Sequence, residues 1–522
     1  MASCPNILFI TDDQHHAGCF SGAQRPQVRT PNIDVLVREG VSFQRSYSCA
    51  PECIPSRISM LTGRYVHTHG VYAGMIPLPA NYLSFPQVLH DQLGYSTALV
   101  GKKHYAKWTR EPFQSDTGEV WSGYSRTYLE KVGWRKTFTR EYHAQVADLM
   151  AYTSQVPHEH SEPVWVADTT IRKIDDLGAK PFLIWCNFSA PHPPYCNSFD
   201  SPFLYAPEAL DLSAIRHCEG ADLHALSLRP GAVRMGVENA WRVGVVGEAK
   251  YREALAHYYG MCTAVDDGVG RILQHLEKRG ILENTIILFN SDHGDFAGEY
   301  GMLGKNTLGH FECLHRIPTV WYWKGRFGPE RIDSFVENID IFPTLCELVG
   351  AAVPCSVQGA SYAEALRYSA SGPGPIPVTK EAVFFDTCFT KSIRTRRYRL
   401  TYCTAGENYC ELFDHQNDPQ ERINRFGEAG YAGVQGRLLG ELLDWTIRTE
   451  QPLGWELERK LHPPTRWYRE HPHAGEFPEP NRDRIRSLEP ETHQSLAARS
   501  GVNRQVGNSE LVGSGNIGAP AK

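Results

Sequence analysis

Four short apolar runs, each leading into polar residues, constrain the architecture of this 522-residue chain more than any other feature. Ile7-Leu8-Phe9-Ile10 enters Thr11-Asp12-Asp13-Gln14, and Ser96-Thr97-Ala98-Leu99-Val100 enters Gly101-Lys102-Lys103-His104. Phe182-Leu183-Ile184-Trp185-Cys186 precedes Ala190-Pro191-His192, and Thr285-Ile286-Ile287-Leu288-Phe289 precedes Asp292-His293-Gly294. Unbroken apolar runs of this length suit strands covered on both faces. Thr30-Pro31 opens a helix with Ile33, Leu36 and Val37 inward and Gly40 as its stop. Val265, Val269, Ile272, Leu273 and Leu276 keep helical spacing up to Gly280. The alternation predicts an α/β fold, a large mostly parallel or mixed sheet sandwiched by helices, with chemistry at the carboxyl ends of the strands.

Two segments, near 105–180 and 195–250, are rich in Trp, Tyr, His, Pro and Gly and lack clean periodicity, so they are expected to be substrate-shaping insertions. After Ser371-Gly372-Pro373-Gly374-Pro375 the pattern changes to short strands at 382–385, 391–394, 398–402 and 412–414, with charged and apolar residues alternating as in an antiparallel sheet. A packing helix is expected over 438–449. The domain reading is therefore 1–372 for the catalytic α/β domain, 373–455 for a small C-terminal α+β domain, and 456–522 for an extended tail. That tail, rich in Pro, Arg and Glu, is expected to wrap the surface or to join a homo-oligomer.

Lys and Arg total 53 against 59 Asp and Glu, a formal net charge of −6, which argues against a nucleic-acid partner and makes any anion site local. No membrane segment is expected. The first ten residues carry no basic start, no long apolar core and no small-residue cleavage pattern, so the expectation is a cytoplasmic protein whose 14 scattered cysteines are mostly thiols.

Cys53 stands just ahead of a short helical run in which Pro55 fits the first turn and Ile58 and Leu61 give a buried side. Free N–H groups at that helix start, with Arg57 one turn on, favour an oxyanion. Asp12-Asp13 and Asp292-His293 end separate strands and together make a pocket for one divalent cation. Their oxygens suit Ca²⁺ or Mg²⁺, and the imidazole keeps Mn²⁺ in play.

Cys53-Ile54-Pro55-Ser56-Arg57, followed by Leu61-Thr62-Gly63, resembles the signature of type I sulfatases in the alkaline phosphatase superfamily. Further resemblances are Gly101-Lys102-Lys103-His104, Ala190-Pro191-His192-Pro193-Pro194, the segment from Gly304-Lys305 to Arg316-Ile317-Pro318, and Ser392 to Tyr398 with Leu412-Phe413-Asp414 and Asp418 to Glu421. The resemblance implies that a separate maturing enzyme oxidises Cys53 to formylglycine. It also implies that Asp12, Asp13, residue 53, Asp292 and His293 hold one cation, Ca²⁺ by first choice. Lys102 would stabilise the aldehyde hydrate, His104 would take its proton, and His192 would protonate the leaving alcohol. Lys305 would bind a sulfate oxygen, with His310 as a second substrate-binding candidate in the same loop. The implied activity is hydrolysis of a small-molecule or carbohydrate sulfate monoester. A phosphonate monoester or phosphodiester hydrolase of the same superfamily is the alternative, ahead of a non-catalytic binding protein.

Overall fold

The structure is a computed structural model that describes residues 4–450, apart from 21–22, 24, 26, 73–77, 79–81, 106–107, 109, 146–150, 213–214, 216–240, 243–246, 306–308, 369–379, 405–409 and 420. The Gly/Pro-rich junction at 371–375 and the tail at 456–522 lie outside the described residues. Residues Met1–Gln451 form one compact unit.

Its centre is an eight-stranded sheet, in spatial order Glu330–Glu337, Val41–Tyr47, Thr319–Tyr322, Thr285–Ser291, Asn6–Asp12, Phe182–Asn187, Ser96–Gly101 and Ser115–Asp116. All neighbours run parallel except Thr319–Tyr322, which is antiparallel to both of its partners. The strand Asn6–Asp12 lies between Thr285–Ser291 and Phe182–Asn187, in register Ile10 to Phe289 and Ile10 to Cys186. The four apolar runs of the sequence are therefore the four adjacent central strands, and their carboxyl ends share one edge.

Alternation along these strands builds two cores. Leu8, Ile10, Ile184, Val100, Ile287 and Phe289 face the helices Glu248–Lys278 and Glu162–Leu177. Ile7, Phe9, Leu183, Trp185 and Leu99 face the helices Cys53–Thr62, Phe85–Leu93 and Ile341–Val349. Phe9 stacks on Trp185 with centroids 5.4 Å apart. Burying each such side chain contributes about 1.5–3 kcal/mol before conformational entropy is counted.

Several expectations are refined. The helix expected to end at Gly280 spans Glu248–Lys278, and the one expected from 438 starts at Ala432. Cys53 is the first residue of its helix, with Glu52 at the cap, rather than the residue ahead of it. The segment 105–180 is more than an insertion, because its last part, Glu162–Leu177, is one of the helices covering the sheet. The strands Val41–Tyr47 and Glu330–Glu337 carry polar residues within them, so they lack the apolar run that marks the central four.

The C-terminal strands Ala382–Asp386, Thr390–Thr395, Tyr398–Cys403 and Glu411–Asp414 form a four-stranded antiparallel sheet in sequence order. The helix Ala432–Thr449 packs on it through Leu438, Leu442 and Trp445, and Trp445 stacks on Phe384 at 4.7 Å. Tyr65, Val66 and Ile339 of the larger part join the same apolar cluster, which fixes this sheet against the region that follows the Cys53 helix.

Candidate active site

The central strands deliver Asp12, Asp13, Lys102, Asn187, Asp292 and His293 to one edge of the sheet, and backbone pairing continues past the strand ends to hold them. The Lys102 amide donates to the Asn187 carbonyl at 3.0 Å, the Asp292 amide to the Asp12 carbonyl at 3.3 Å, and the Asp13 amide to the Ala190 carbonyl at 3.3 Å. Two glycines permit the close approach. Gly101, at φ +83°, would place a Cβ 2.0 Å from the Asn187 carbonyl oxygen, and Gly294 would place one 1.9 Å from that of Cys313.

Cys53 sits at the focus. Its Sγ lies 2.9 Å from Lys305 Nζ, 3.2 Å from His293 Nε2, 3.6 Å from Asp13 Oδ1 and 3.9 Å from Lys102 Nζ. Lys305 Nζ is also 3.4 Å from His192 Nε2 and 3.1 Å from His293 Nε2. The Nδ1 atoms of both histidines face carbonyl oxygens, Pro193 at 2.5 Å and Gly294 at 2.8 Å. Donation there leaves each Nε2 lone pair turned to the site. His104 carries a strained φ of +34°, its amide donates to Glu119, and its Nδ1 is buried without a hydrogen-bond partner among the described residues.

Arg57 organises the anionic side of the cluster. Its Nε donates to Asp292 Oδ2 at 2.8 Å, Nη1 to Asn187 Oδ1 at 2.7 Å and Nη2 to Asp13 Oδ2 at 3.4 Å; Lys102 pairs with the same Asp13 oxygen. Burial alone would push the Cys53 thiol up, but Lys102, Lys305 and His293 hold it well below its usual value. Burial and the Cys53 thiolate oppose ionisation of Asp13, yet Lys102, His192 and Arg57 hold its carboxyl well below the usual range. Burial and the neighbouring Asp13 charge push Asp292 up to about 6. Negative charge at the position of the Cys53 sulfur is therefore stabilised.

Asp13, Cys53, Asp292 and His293 each offer one ligand atom within 4.8 Å of all the others. Asp12 lies outside that set by distance. Its Oδ2 is tied to His15 Nδ1 at 2.5 Å, while its Oδ1 is buried with no hydrogen-bond partner among the described residues. An orphaned carboxylate oxygen beside two mutually repelling carboxylates is what a divalent cation would relieve, so the residues fit a hard metal ion.

The structure thus gathers Asp13, Cys53, Arg57, Lys102, His192, Asp292, His293 and Lys305, with Asp12 and His104 at the margin. His310 is not joined to this cluster by any hydrogen bond: its ring nitrogens face His315 Nε2 at 2.9 Å and Thr390 Oγ1 at 2.8 Å. Sequence reasoning missed Asn187, although it ends the third apolar run. It placed Ser56 within the signature but gave it no role; its hydroxyl donates to the Asp292 carbonyl at 2.5 Å and accepts from Asn338 Nδ2 at 2.9 Å.

Comparisons with known proteins place the chain. The sulfatase family profile matches residues 5–351, and that of the N-sulphoglucosamine sulphohydrolase C-terminal region matches 298–448. The chain is 26% identical over 498 residues to the multifunctional alkaline phosphatase superfamily protein PehA of Trinickia caryophylli, covering 85% of this chain and 95% of that one. It is 26% identical over 499 residues to an N-acetylglucosamine-6-O-sulfatase of Bacteroides thetaiotaomicron, covering 85% and 86%. In fold it matches the crystal structure of a phosphonate monoester hydrolase of Agrobacterium radiobacter, with a TM-score of 0.72 at 23% identity over 85% of this chain and 96% of that one. With the matched profile spanning well over half of its length and Cys53 at the focus of its strand ends, this chain belongs to the sulfatase family of sulfuric ester hydrolases.

Proposed function

We propose that the protein hydrolyses a sulfate monoester to an alcohol and inorganic sulfate, using residue 53 after a separate maturing enzyme has oxidised its thiol to formylglycine. The observation that carries this reading is the convergence on Cys53 Sγ of Lys305, His293, Asp13 and Lys102, all within 3.9 Å. An aldehyde hydrate there supplies one hydroxyl to attack sulfur and a second whose proton loss releases sulfate and restores the aldehyde. Asp12, Asp13, Asp292, His293 and residue 53 would hold one divalent cation, Ca²⁺ by first choice, which would neutralise charge on the sulfate oxygens when bound.

The remaining roles fall to the chain's own groups. Lys305 and Lys102 face the space an anionic tetrahedral group must occupy, and Arg57 fixes the carboxylates beneath it. His192 Nε2, 3.4 Å from Lys305 Nζ, is placed to give a proton to the departing alcohol oxygen. Burial, then Lys102, lowers the His192 pKa, and a substrate anion between the two would raise it. His104 is assigned to accept the second hydroxyl's proton. Among the described residues no helix is long and apolar enough to cross a membrane. Thirteen cysteines there are free thiols, as suits a reducing, cytoplasmic setting.

Cleavage of a phosphonate monoester or phosphodiester is the second reading, and the Asp292-His293 pair beside the nucleophile suits it as well as the first. A non-catalytic binding role is disfavoured because each catalytic position is filled. The test has two parts. The Cys53 peptide of protein made with a maturing enzyme should be lighter than encoded by about 18 Da, the change from thiol to aldehyde. On that preparation, kcat/KM for nitrophenyl sulfate should exceed that for a nitrophenyl phosphodiester and a phenylphosphonate monoester. A diester or phosphonate ahead by more than about tenfold transfers the function to the second reading.

A further inference from the structure

A cavity of about 320 Å³ opens beside the site, within the range of small-molecule pockets. Lys102, His104 and His192 form its catalytic end, whereas Cys53, Asp13 and Lys305 do not line it. It therefore lies on the side from which His192 would meet the leaving oxygen. Its walls are mostly apolar and come from the segment between the third and second central strands: Trp121 and Tyr124 from the π-helix Val120–Leu129, Phe138 and Tyr142 from the helix Arg135–Gln145, and Tyr152 from the strand Ala151–Ser154.

The rings brace one another. Trp121 meets Tyr142 edge-on at 4.7 Å and Phe138 at 5.6 Å, and Tyr124 meets Phe138 edge-on at 5.6 Å. A wall of interlocked rings presents faces and edges suited to another flat ring. Apart from Lys102, no Lys or Arg lines the cavity among the described residues; its remaining charges are the carboxyls Glu119 and Glu162. A second sulfate or a carboxylate on the leaving group would meet those two acids, with Lys102 to offset them only at the catalytic end. Glu162 Oε1 accepts the Ser189 amide at 2.9 Å, and its Oε2 has no hydrogen-bond partner among the described residues. Burial pushes the Glu162 carboxyl up to about 7, and a donor beside it would favour the ionised form.

We propose that this cavity is the leaving-group subsite and selects an aromatic alcohol that carries a hydrogen-bond donor and no second anionic group, with Glu162 as the specificity-determining residue. The assignment rests on the reading of His192 as facing the leaving oxygen. It narrows the substrate from sulfate esters in general to esters of aromatic alcohols, and it sets sulfated sugars bearing further anions aside.

The test uses esters whose leaving alcohols have similar acidity, so that binding rather than intrinsic reactivity is compared: benzyl, 3-carboxybenzyl, 3-hydroxymethylbenzyl, 3-aminomethylbenzyl and glucose 6-sulfate. Benzyl sulfate should exceed glucose 6-sulfate in kcat/KM by about 10²-fold, the scale on which filling an apolar pocket discriminates. The carboxy compound should fall at least about tenfold below benzyl, and the aminomethyl compound should lie above it. Glu162→Gln should abolish the aminomethyl advantage, bringing the aminomethyl-to-benzyl ratio of kcat/KM to about one. Glucose 6-sulfate equal to or above benzyl, or an aminomethyl advantage that survives Glu162→Gln, overturns the proposal. The same alcohols as phenylphosphonate monoesters separate the two failures. If only the phosphonates react and the ranking holds, the sulfate reading falls and the subsite stands. Ligand-observed NMR of the free alcohols with Cys53→Ala protein reads the ranking without turnover, and failure of benzyl alcohol to bind more tightly than glucose overturns it.

Discussion

Two largely buried charge clusters in this molecule use similar residues to opposite ends. In the C-terminal sheet, Arg399 grips Glu421 through two bonds of 2.6 Å, donates to Thr401 at 3.1 Å and lies 4.9 Å over the Phe413 ring. Both partners are wholly shielded from solvent, and the guanidinium fork matches the carboxylate. Around Cys53, Arg57 is just as buried, but it is divided among Asp292, Asp13 and Asn187. Lys305 has no carboxylate within ion-pair distance among the described residues and is held against a sulfur and two imidazoles. A cluster whose charges are matched pairwise stabilises a fold. One that leaves a cation facing a point shared with other groups is built to receive an anion.

Changes in the two clusters should therefore separate activity from stability. The largest effect expected is from Asp292→Asn, which keeps the shape of the side chain while removing a hard anionic ligand. Turnover should fall by roughly 10⁴-fold, because metal-assisted charge stabilisation is worth several kcal/mol and each 1.36 kcal/mol is a factor of ten. Bound divalent metal, measured by elemental analysis, should fall with it, and unchanged stoichiometry would place the cation elsewhere.

His192→Ala should lose on the order of 10²- to 10⁴-fold on an alkyl sulfate and much less on nitrophenyl sulfate, whose leaving group needs little protonation. An equal loss on both would make His192 an electrostatic group and not an acid. In the other cluster, Glu421→Gln removes the bidentate partner of Arg399 and leaves it buried with only Glu411, 3.5 Å away, as counter-charge, which should cost about 3 kcal/mol of unfolding free energy. The folded fraction should keep its kcat. A parallel loss of kcat would show that the C-terminal sheet shapes the site.

The difference between the clusters also marks what the sequence makes legible. The four central strands could be read because residues buried on both faces, such as Ile7 to Ile10, leave an unbroken apolar run, and their ends locate Asp13, Lys102 and Asp292. Cys53 and Arg57 were marked by their spacing with Pro55 on one short helix. Arg399 and Glu421 were not legible as a pair, because they are 22 residues apart and Glu421 reaches the strand Tyr398–Cys403 from the loop that follows Glu411–Asp414. The aromatic wall of the cavity was hidden for a related reason: Trp121, Phe138 and Tyr152 come from three elements with no shared period, one of them a π-helix. His310 lay in the right loop by sequence, but its side chain turns to the C-terminal sheet.

That histidine gives the smallest of the expected effects, and it ties the two regions together. His315 Nδ1 faces the Ser48 carbonyl at 2.8 Å, so it donates there and its Nε2 accepts from His310 Nδ1 at 2.9 Å. With both rings neutral, His310 Nε2 then accepts from Thr390 Oγ1 at 2.8 Å and the chain of bonds closes, whereas protonating both would set two N–H groups against each other between the rings. Burial, then His315 and Arg399, holds His310 well below its usual value, and burial pushes His315 down to about 3. Because the folded values are depressed, the unfolded chain binds the extra protons. Stability contributed by this pair is full above about pH 6.5 and should decline as pH falls, by up to about 1.4 kcal/mol per pH unit for each histidine. For His315 the decline continues toward about pH 3. Glu312, which burial alone would raise but Arg394 draws down to about 2, begins to contribute its own loss only below about pH 4.5. Unfolding free energy measured by urea titration between pH 6.5 and 5 should therefore lose slope in a His315→Gln variant, by up to about 1.4 kcal/mol per unit, and the difference from the parent should fade only as the pH falls through about 3. An unchanged slope in the upper window would mean that His315 is already protonated in the fold, and that the link between Ser48 and Thr390 is not the neutral chain described above.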